Sequence, residues 1–351
     1  MTEMAILRMP ETSARRRKPE GYAPAVPPSV SILLPVLNEA DFLDPCLASL
    51  TAQDYQGSIE IVVADGGSTD GTRERLEELH RLGRVVLVDN PDRRQWAGLN
   101  RSAEVASGEI LVRVDGHSTY EPDYVGSSVA ALSESAATAV GGRMIPESDN
   151  PIGKAISSAM ASPWAVGPAR YRHQTHRSEV DTVYLGAFRA DDFTRLGGYR
   201  DLPGVAEDTD LYYRWRKQGA SIVLDPAIRS RYRPRDSWGD LARQYYLYGW
   251  GKADMVYANH ELPSWRPLAP LALVVGLIGG GVLAGFLMWW PLLSLVAAWA
   301  AVLGWVALAA GEGLIHRLRT GLATATMQLA FGAGLLGGLL RGPGPRRHLR
   351  G

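Results

Sequence analysis

Four short apolar segments in the first third of the chain each end close to an acidic residue or an Asn-Glu pair. They run from Val30 to Pro35, Ile59 to Asp65, Val85 to Asp89 and Ile110 to Asp115, and helix-like segments separate them. Short runs rich in Val and Ile, in this alternation, are typical of buried parallel strands. The order predicts an α/β fold with a right-handed, doubly wound and mostly parallel sheet.

Four polar residues lie at the ends of these predicted strands. Asn38 and Glu39 follow the first strand, Asp65 ends the second and Asp115 ends the fourth. Ligands of open α/β sheets bind at the carboxyl ends of the strands. Because neighbouring carboxylates repel each other unless a cation or a hydrogen-bonding ligand lies between them, this edge predicts a metal and a phosphorylated or hydroxyl-rich substrate.

Two loops after these strands carry candidate ligand-binding chemistry. Residues 65–72 read Asp-Gly-Gly-Ser-Thr-Asp-Gly-Thr, and their glycines allow close approach of a ligand, although a plain tight turn fits them equally well. Asp115 and His117 flank a glycine, and a mixed Asp/His pair suits Mn²⁺ better than Mg²⁺, which prefers oxygen. A hydrogen-bonded loop histidine is the alternative for His117.

Two later segments hold charged residues with two interpretations each. Glu207, Asp208 and Asp210 begin a predicted helix, where acids complement the helix dipole or supply a general base. Arg243 and Gln244 lie in a long aromatic helix and could donate charge-assisted or neutral hydrogen bonds to phosphate oxygens. Neither segment is decisive by itself.

A long uncharged stretch predicts membrane insertion. Residues 267–311 contain no Asp, Glu, Lys, Arg or His, and these 45 residues are about twice the ~20 needed to cross a bilayer. Trp289-Trp290-Pro291 suits an interfacial turn between spans at 268–289 and 291–311. A pair of buried helices in a soluble core is the alternative. Whether a third apolar run, 322–340, crosses the membrane or lies in the interface stays open.

These patterns divide the chain into five regions. We expect a disordered basic and Pro-rich tail at 1–27, a catalytic domain at 28–235, an amphipathic interfacial helix region at 236–266, a membrane domain at 267–340 and a basic tail at 341–351. The net charge is zero, which argues against a nucleic-acid partner. The single cysteine excludes an internal disulfide framework and is compatible with a cytoplasmic catalytic domain.

The motifs together resemble a known family. In order along the chain they are Ser-Ile-Leu-Leu-Pro-Val-Leu-Asn-Glu at 31–39, the 65–72 loop, Asn100, Asp-Gly-His at 115–117, Gly-Gly-Tyr at 197–199 and Glu207-Asp208. Over residues 28–255 the chain resembles a family 2 glycosyltransferase of the GT-A fold. It looks most like bacterial succinoglycan-type exopolysaccharide glucosyltransferases, which share the Asp-Gly-His, an aromatic Gln-Tyr-Tyr-x-Tyr-Gly stretch and a C-terminal membrane part.

The resemblance implies a role for each matching residue. The nucleotide-binding residues would be Pro35, Val36, Asn38, Glu39, Asp65 and Asn100, with Asp65 at the uracil edge. Asp115 and His117 would hold a divalent metal, Mg²⁺ or Mn²⁺, on the diphosphate. Asp208 would be the general base of a single inverting displacement. The residues near the acceptor or diphosphate would be Glu207, Asp210, Arg243 and Gln244.

The implied reaction moves a sugar from a UDP-sugar to a hydroxyl of a polyprenyl-diphosphate-linked saccharide, in exopolysaccharide or cell-envelope glycan synthesis. We expect a non-processive enzyme, because the Gln-x-x-Arg-Trp motif of processive synthases is absent. The expected location is the inner (plasma) membrane, with the catalytic domain cytoplasmic. A polyprenyl-phosphate sugar synthase and a non-catalytic membrane scaffold are the alternatives. A nicotinamide oxidoreductase is disfavoured because no Gly-x-Gly-x-x-Gly follows the first strand.

Overall fold

A computed structural model describes residues 26–167, 170–202, 205–286, 288–311 and 313–342. The predicted tails at 1–27 and 341–351 fall almost entirely outside these residues. Within them the strands are β1 (Val30–Val36), β2 (Ile59–Asp65), β3 (Val86–Asp89), β4 (Ile110–Arg113), β5 (Ser118–Tyr120), β6 (Ala139–Pro146), β7 (Ser178–Glu179), β8 (Tyr184–Arg189) and β9 (Ile222–Tyr232).

The helices of the described residues fall into a catalytic group and a C-terminal group. The catalytic group is α1 (Ala40–Thr51), α2 (Thr72–Arg81), α3 (Gln95–Val105), α4 (Tyr124–Ser135), α5 (Pro151–Ala161), α6 (Pro163–Val166), α7 (Ala190–Leu196) and α8 (Glu207–Lys217). The C-terminal group is α9 (Trp238–Asn259), α10 (Leu268–Ala284), α11 (Trp290–Ala309) and α12 (Leu314–Arg341). A 3₁₀ turn, Arg170–Arg172, precedes β7.

All the strands belong to one sheet. Its order is β3-β2-β1-β4-β8-β6-β9-β5, and β7 pairs with β9. The first four strands are parallel to one another, which confirms the predicted α/β fold. Strand β8 enters antiparallel between β4 and β6, so the sheet is mixed beyond β4.

Helices cover both faces of the parallel half of the sheet. Ile32 of β1 belongs to one apolar core with Leu43 of α1. Its neighbour Leu33 faces the other side and shares a second core with Leu99 of α3 and Trp215 of α8. Because successive residues of a strand point to opposite faces, a strand covered on both sides is apolar at nearly every position. This burial explains why the first strands are continuous apolar runs in the sequence.

The C-terminal helices differ in detail from the expected spans. Helices α11 and α12 are long and apolar enough to cross a membrane, whereas α10 has only 17 residues. Helix α12 begins at Leu314, before the apolar run at 322–340, so Arg317 and Arg319 lie in its first two turns. Leu and Arg are good helix formers, and no proline interrupts this segment, so the helix extends through the basic residues.

Helix α9, expected at a membrane interface, packs along α12. A Cβ added at Gly249 would lie 2.0 Å from the carbonyl oxygen of Phe331, and one added at Gly334 would lie 2.0 Å from that of Tyr246. Small residues at such a crossing let two helix backbones approach closely. The catalytic domain is therefore joined to the apolar C-terminal helices through a tight helix pair.

Candidate active site

The parallel strands bring the predicted acidic residues to one edge of the sheet. Asp65 lies opposite Val36 in the register of β1 and β2, and β4 flanks β1 on its other side. Asp115 follows β4 by two residues, and Asn38 follows β1 by two. The order β2-β1-β4 thus places the three loops that carry these residues side by side.

The loops after β1 and β2 are joined by hydrogen bonds. The backbone N–H of Asn38 donates to the Ser68 hydroxyl at 2.9 Å, and the Asn38 side-chain oxygen accepts from the Thr69 N–H at 2.9 Å. The N–H of Glu39 donates to the Thr72 hydroxyl, also at 2.9 Å. Asn38 itself has a φ of 57°, a left-handed conformation that asparagine tolerates better than most residues. This cross-linking holds one wall of the predicted nucleotide pocket.

Asp65 is buried beneath these loops. Its carboxylate accepts a hydrogen bond from the Ser68 hydroxyl at 2.6 Å and from the Gly67 N–H at 3.2 Å, and Arg73 lies 3.5 Å away. The Ser68 N–H also donates to it at 3.2 Å, so four donors fill the about four acceptor positions of this carboxylate. The contact of Asp65 with a base N–H stays a prediction.

The remaining residues predicted for the nucleotide pocket occupy two places. Pro35 and Val36 lie at the carboxyl end of β1, and Val36 accepts the Gly66 N–H at 2.9 Å. Asn100 of α3 is bonded through its side chain to both the N–H and the carbonyl of Tyr199, at 2.9 and 2.8 Å. These contacts favour a structural role for Asn100, and its nucleotide contact stays a prediction.

The predicted metal ligands lie at the exit of β4. Gln95 donates to one carboxylate oxygen of Asp115 at 2.9 Å. His117 contacts Glu39 through Nδ1 at 3.3 Å, and its ring meets that of Tyr232 edge-on at 5.4 Å. Burial lowers the pKa of His117, but the hydrogen bond to Glu39 and the charge of Asp115 outweigh it, so the pKa is raised overall.

The side chains of Asp115 and His117 fit a metal ion that is bound partly by the protein and partly by a ligand. In the described part of the chain no three His, Cys, Asp or Glu side chains form a ready-made metal cluster. Within that part, the second carboxylate oxygen of Asp115 and Nε2 of His117 have no hydrogen-bond partner. One oxygen and one nitrogen suit a cation whose other ligands are phosphate oxygens and water. A metal bound between protein and diphosphate therefore fits this site.

Arg113, which the sequence patterns did not single out, joins two parts of the site. Its guanidinium lies 3.1 Å from a carboxylate oxygen of Glu207 and 3.6 Å from one of Asp115. It also lies over the ring of Tyr199, 5.7 Å from the centroid. One buried cation thus connects the exit of β4 to the start of α8. The only sequence signal was a lone arginine at the end of an apolar strand.

The three acids at the start of α8 have different environments. Burial raises the pKa of Glu207, and the charge of Arg113 opposes this shift. Asp210 is fully buried and is bound by Arg200, by Arg214 at 2.8 Å and by Asn259 at 3.1 Å. These contacts favour a structural role for Asp210. Asp208 alone keeps a partly exposed carboxylate, hydrogen-bonded only to its neighbour Thr209 among the described residues.

Lys252 of α9 is a second residue that the sequence patterns missed. Burial lowers its pKa, and the carboxylates of Asp208, Glu207 and Asp210 partly offset this effect. Its signal in the sequence was weak, because a single lysine in an aromatic helix is ordinary. The ammonium adds a positive charge close to the acidic start of α8.

Arg243 and Gln244, both predicted near the diphosphate or acceptor, have different environments in the structure. Gln244 donates to the hydroxyl of Tyr232 at 3.1 Å, and Tyr232 contacts His117. Arg243, the preceding residue of α9, is exposed. Gln244 is therefore connected to the predicted metal site through Tyr232, and the role of Arg243 stays a prediction.

The fold and the site define a class of enzyme. A sheet that is parallel through β1–β4, an acidic exit from its fourth strand and a carboxylate at the start of a later helix are the features of a GT-A glycosyltransferase. A profile described as "Glycosyl transferase family 2" matches residues 31–192. Succinoglycan biosynthesis protein ExoA of Rhizobium meliloti (strain 1021) is 32% identical over 308 residues, which are 86% of this chain and 92% of that protein. The chain belongs to glycosyltransferase family 2, and the predicted resemblance is confirmed.

Two more distant relatives extend the comparison. A Methanococcus voltae protein, "Dolichyl N-acetyl-alpha-D-glucosaminyl phosphate 3-beta-D-2,3-diacetamido-2,3-dideoxy-beta-D-glucuronosyltransferase", is 24% identical over 72% of this chain and 82% of its own length. The mannosyltransferase PcManGT of Pyrobaculum calidifontis, solved with GDP-Man and Mn²⁺, has a TM-score of 0.56 and 24% identity, covering 91% of this chain and 89% of its own. The second likeness supports the GT-A fold.

Proposed function

We propose that the chain is an inverting, non-processive glycosyltransferase that moves a sugar from a UDP-sugar to a hydroxyl of a polyprenyl-diphosphate-linked saccharide. The observation that carries the proposal is the convergence at one sheet edge of Asp65, Asp115 and the Glu207-Asp208 pair, the last two joined through Arg113. In this proposal Asp65 contacts the base of the sugar nucleotide, Asp115 lies at its diphosphate and Asp208 lies at its reacting sugar.

The donor half of the site supports UDP-sugar binding. Asp65 would accept a base N–H in place of its 3.5 Å contact with Arg73, and the cross-linked loops at Asn38 and Ser68 form a fixed wall beside it. Asp115 and His117 would hold Mg²⁺ or Mn²⁺ against the diphosphate. The metal, when bound, would offset the negative charge that develops on the departing UDP. Glu39 orients His117 through the hydrogen bond at Nδ1 and leaves Nε2 for the cation.

Asp208 is the residue best placed to act as the base. It would accept the proton of the acceptor hydroxyl while that oxygen forms its bond to the anomeric carbon and the bond from that carbon to the phosphate oxygen breaks. Glu207 is engaged by Arg113, and Asp210 is enclosed by arginines, so neither carboxylate is as free as that of Asp208. A single displacement inverts the anomeric configuration.

The apolar helices support an acceptor in a membrane. Helices α11 and α12 are each long enough to span a bilayer, and α12 packs on α9, which carries Gln244 and Lys252. The relatives named for succinoglycan and for a dolichyl-linked sugar act in glycan synthesis, which supports exopolysaccharide or cell-envelope glycan as the product. We place the enzyme in the inner membrane with its catalytic domain facing the cytoplasm.

A donor panel tests this function. Membranes that contain the full chain and lipid-linked acceptors are offered UDP-sugars one at a time, and the product is identified by mass spectrometry. The proposal expects one hexose added to a lipid-linked saccharide, with one donor strongly preferred. Transfer to polyprenyl phosphate itself would instead indicate a polyprenyl-phosphate sugar synthase. Absence of both transfer and UDP binding would indicate a non-catalytic scaffold.

A further inference from the structure

Arg172 is a buried cation without a counter-ion in the described chain. It ends the 3₁₀ turn Arg170–Arg172 and is only 9% exposed. Its Nε and Nη1 atoms are buried and have no hydrogen-bond partner among the described residues, and none of the carboxylates there forms an ion pair with it. An isolated buried charge is costly unless it is paired and hydrogen-bonded. The missing partner is therefore an anion.

Aromatic rings surround this guanidinium. It lies over the ring of Tyr171, 5.3 Å from the centroid, and it interacts with Tyr245 and Tyr248 of α9. The hydroxyl of Tyr245 is also buried and approaches Arg172, but neither this hydroxyl nor Nε and Nη1 of Arg172 has a hydrogen bond of good geometry among the described residues. Two guanidinium nitrogens, which carry three N–H groups, and one hydroxyl form a set of donors that matches the oxygens of a phosphate group.

A line of rings connects Arg172 to the predicted metal site. Tyr171 stacks on Tyr184 at 5.9 Å, Tyr184 meets Tyr232 at 6.3 Å, and Tyr232 meets His117 at 5.4 Å. This line from Arg172 to His117 passes through three tyrosines, and the charge of Arg172 also acts on Tyr232, the ring beside His117. UDP binding by Arg172 variants therefore decides whether the anion of Arg172 is the donor diphosphate or another part of the reacting complex.

The other side of Arg172 faces the C-terminal helices. Tyr171, Tyr245 and Tyr248 pack in one apolar cluster with Ala323 and Met327 of α12. Helix α12 is one of the two helices long and apolar enough to cross a membrane. A ligand that reaches Arg172 from this side would carry its anionic group next to a hydrophobic chain.

We propose that Arg172 and the hydroxyl of Tyr245 bind the diphosphate of the polyprenyl-linked acceptor, at a subsite distinct from the donor diphosphate site. This inference rests on the proposed function for the identity of the acceptor. The planar guanidinium suits bidentate contact with phosphate oxygens, and the aromatic walls suit the first isoprene units. The subsite would fix the lipid end of the acceptor while its sugar hydroxyl lies near Asp208.

Direct binding tests the subsite without any transfer reaction. The purified full chain, in an uncharged detergent, is titrated by calorimetry with farnesyl diphosphate, farnesol, inorganic pyrophosphate and UDP. We expect farnesyl diphosphate to bind more tightly than farnesol or pyrophosphate. In Arg172→Met its affinity falls by about 10- to 100-fold, the loss expected for hydrogen bonds to a charged group. The affinity for UDP stays within about twofold of the wild-type value, because changes at sites that share no contact have independent effects.

Two further variants make the test specific. Arg170→Met is the matched control, because Arg170 lies in the same turn but is exposed and donates only to the Glu179 carbonyl at 3.2 Å among the described residues. It should bind farnesyl diphosphate like the wild type. Arg172→Lys keeps the charge but lacks the planar fork, so it should bind with intermediate affinity and provides the test if the methionine variant does not fold.

Several results would overturn the proposal. Unchanged farnesyl diphosphate binding in Arg172→Met, or equal binding of farnesol and farnesyl diphosphate, would remove anion recognition by this residue. Pyrophosphate binding as tightly as farnesyl diphosphate would remove the lipid assignment. A parallel loss of UDP binding would assign Arg172 to the donor. Failure of UDP-sugar transfer with intact farnesyl diphosphate binding would count against the proposed reaction and not against this subsite.

Discussion

The guanidinium of Arg113 lies 3.1 Å from the carboxylate of Glu207, which is 94 residues away in the chain. The same nitrogen lies 3.6 Å from Asp115. All three side chains are at most 10% exposed. The loop after β4, which carries the predicted metal ligand, and the first turn of α8, which carries the predicted base, are therefore held together by one buried charge.

Removal of that charge should destabilise the fold. We expect Arg113→Met to lower the free energy of unfolding by about 3–5 kcal/mol, because it leaves two buried carboxylates without their cation. Denaturant unfolding of the full chain in detergent measures the change. The control is Arg101→Met, whose exposed pair with Asp92 at 2.9 Å should contribute less than about 1 kcal/mol. Equal losses in the two variants would contradict the bridging role.

Metal dependence should reside at the exit of β4. Calorimetry of UDP binding with Mn²⁺ and with EDTA should show an affinity at least about tenfold higher with the metal. Asp115→Asn should abolish this difference, because it removes the charged oxygen ligand. Asp92→Asn, an exposed change, should preserve it. A Mn²⁺ effect of full size in Asp115→Asn would exclude Asp115 as a ligand.

The folded state should lose stability at low pH, in part because Glu60 becomes protonated. Burial raises the pKa of this carboxyl, but hydrogen bonds from Ser31 at 2.5 Å and from Ser107 at 2.6 Å outweigh it, so the pKa is lowered. A lowered folded-state pKa gives stability that is present above the unfolded value of 4.5 and is lost as the pH falls through the folded value.

The measurement for Glu60 compares unfolding midpoints between pH 7 and pH 3. Glu60→Gln should be less stable than the wild type by about 1 kcal/mol at pH 7, and the difference should shrink below pH 4.5 as the wild-type carboxyl becomes protonated. Glu104→Gln, at an exposed site on α3, should show no such convergence. A constant difference at every pH would contradict the assignment.

The close contact of α9 and α12 should tolerate no added side chain. In Gly334→Ala the new Cβ would lie 2.0 Å from the carbonyl of Tyr246, so the helices must separate. We expect a loss of about 1–3 kcal/mol in unfolding free energy, with lower transfer activity because α9 shifts relative to the site. Gly304→Ala on α11, where nothing lies within 4 Å, should be neutral. An active, stable Gly334→Ala would exclude the tight pairing.

The sequence could predict those parts of the fold that depend on local patterns. The strand that ends at Asp65 and the strand that precedes Asp115 are buried on both faces, so their apolar runs were unambiguous, and the alternation with helices predicted a doubly wound, mostly parallel sheet. The insertion of antiparallel β8 beside β4 depends on long-range pairing, which no local pattern encodes.

Long-range contacts limit the prediction of the site even more than the prediction of the fold. The positions of Asp115 and Asp208 in ordered motifs were visible, whereas the partners of Arg113 and the isolation of Arg172 depend on residues far away in the chain. Asp210 shows the converse case, because it belongs to the acidic motif but is enclosed by Arg200 and Arg214. A motif thus identifies candidate residues, and only packing decides which of them face a ligand.

The central claim is that Asp208 is the base in a single site for UDP-sugar transfer. The most direct test measures turnover and UDP affinity for the wild type, Asp208→Asn and Asp191→Asn, an exposed control on α7. We predict that Asp208→Asn loses about 10²- to 10⁴-fold in turnover, the usual contribution of a general base, with UDP affinity unchanged and the control fully active. Near-normal turnover in Asp208→Asn would contradict the claim.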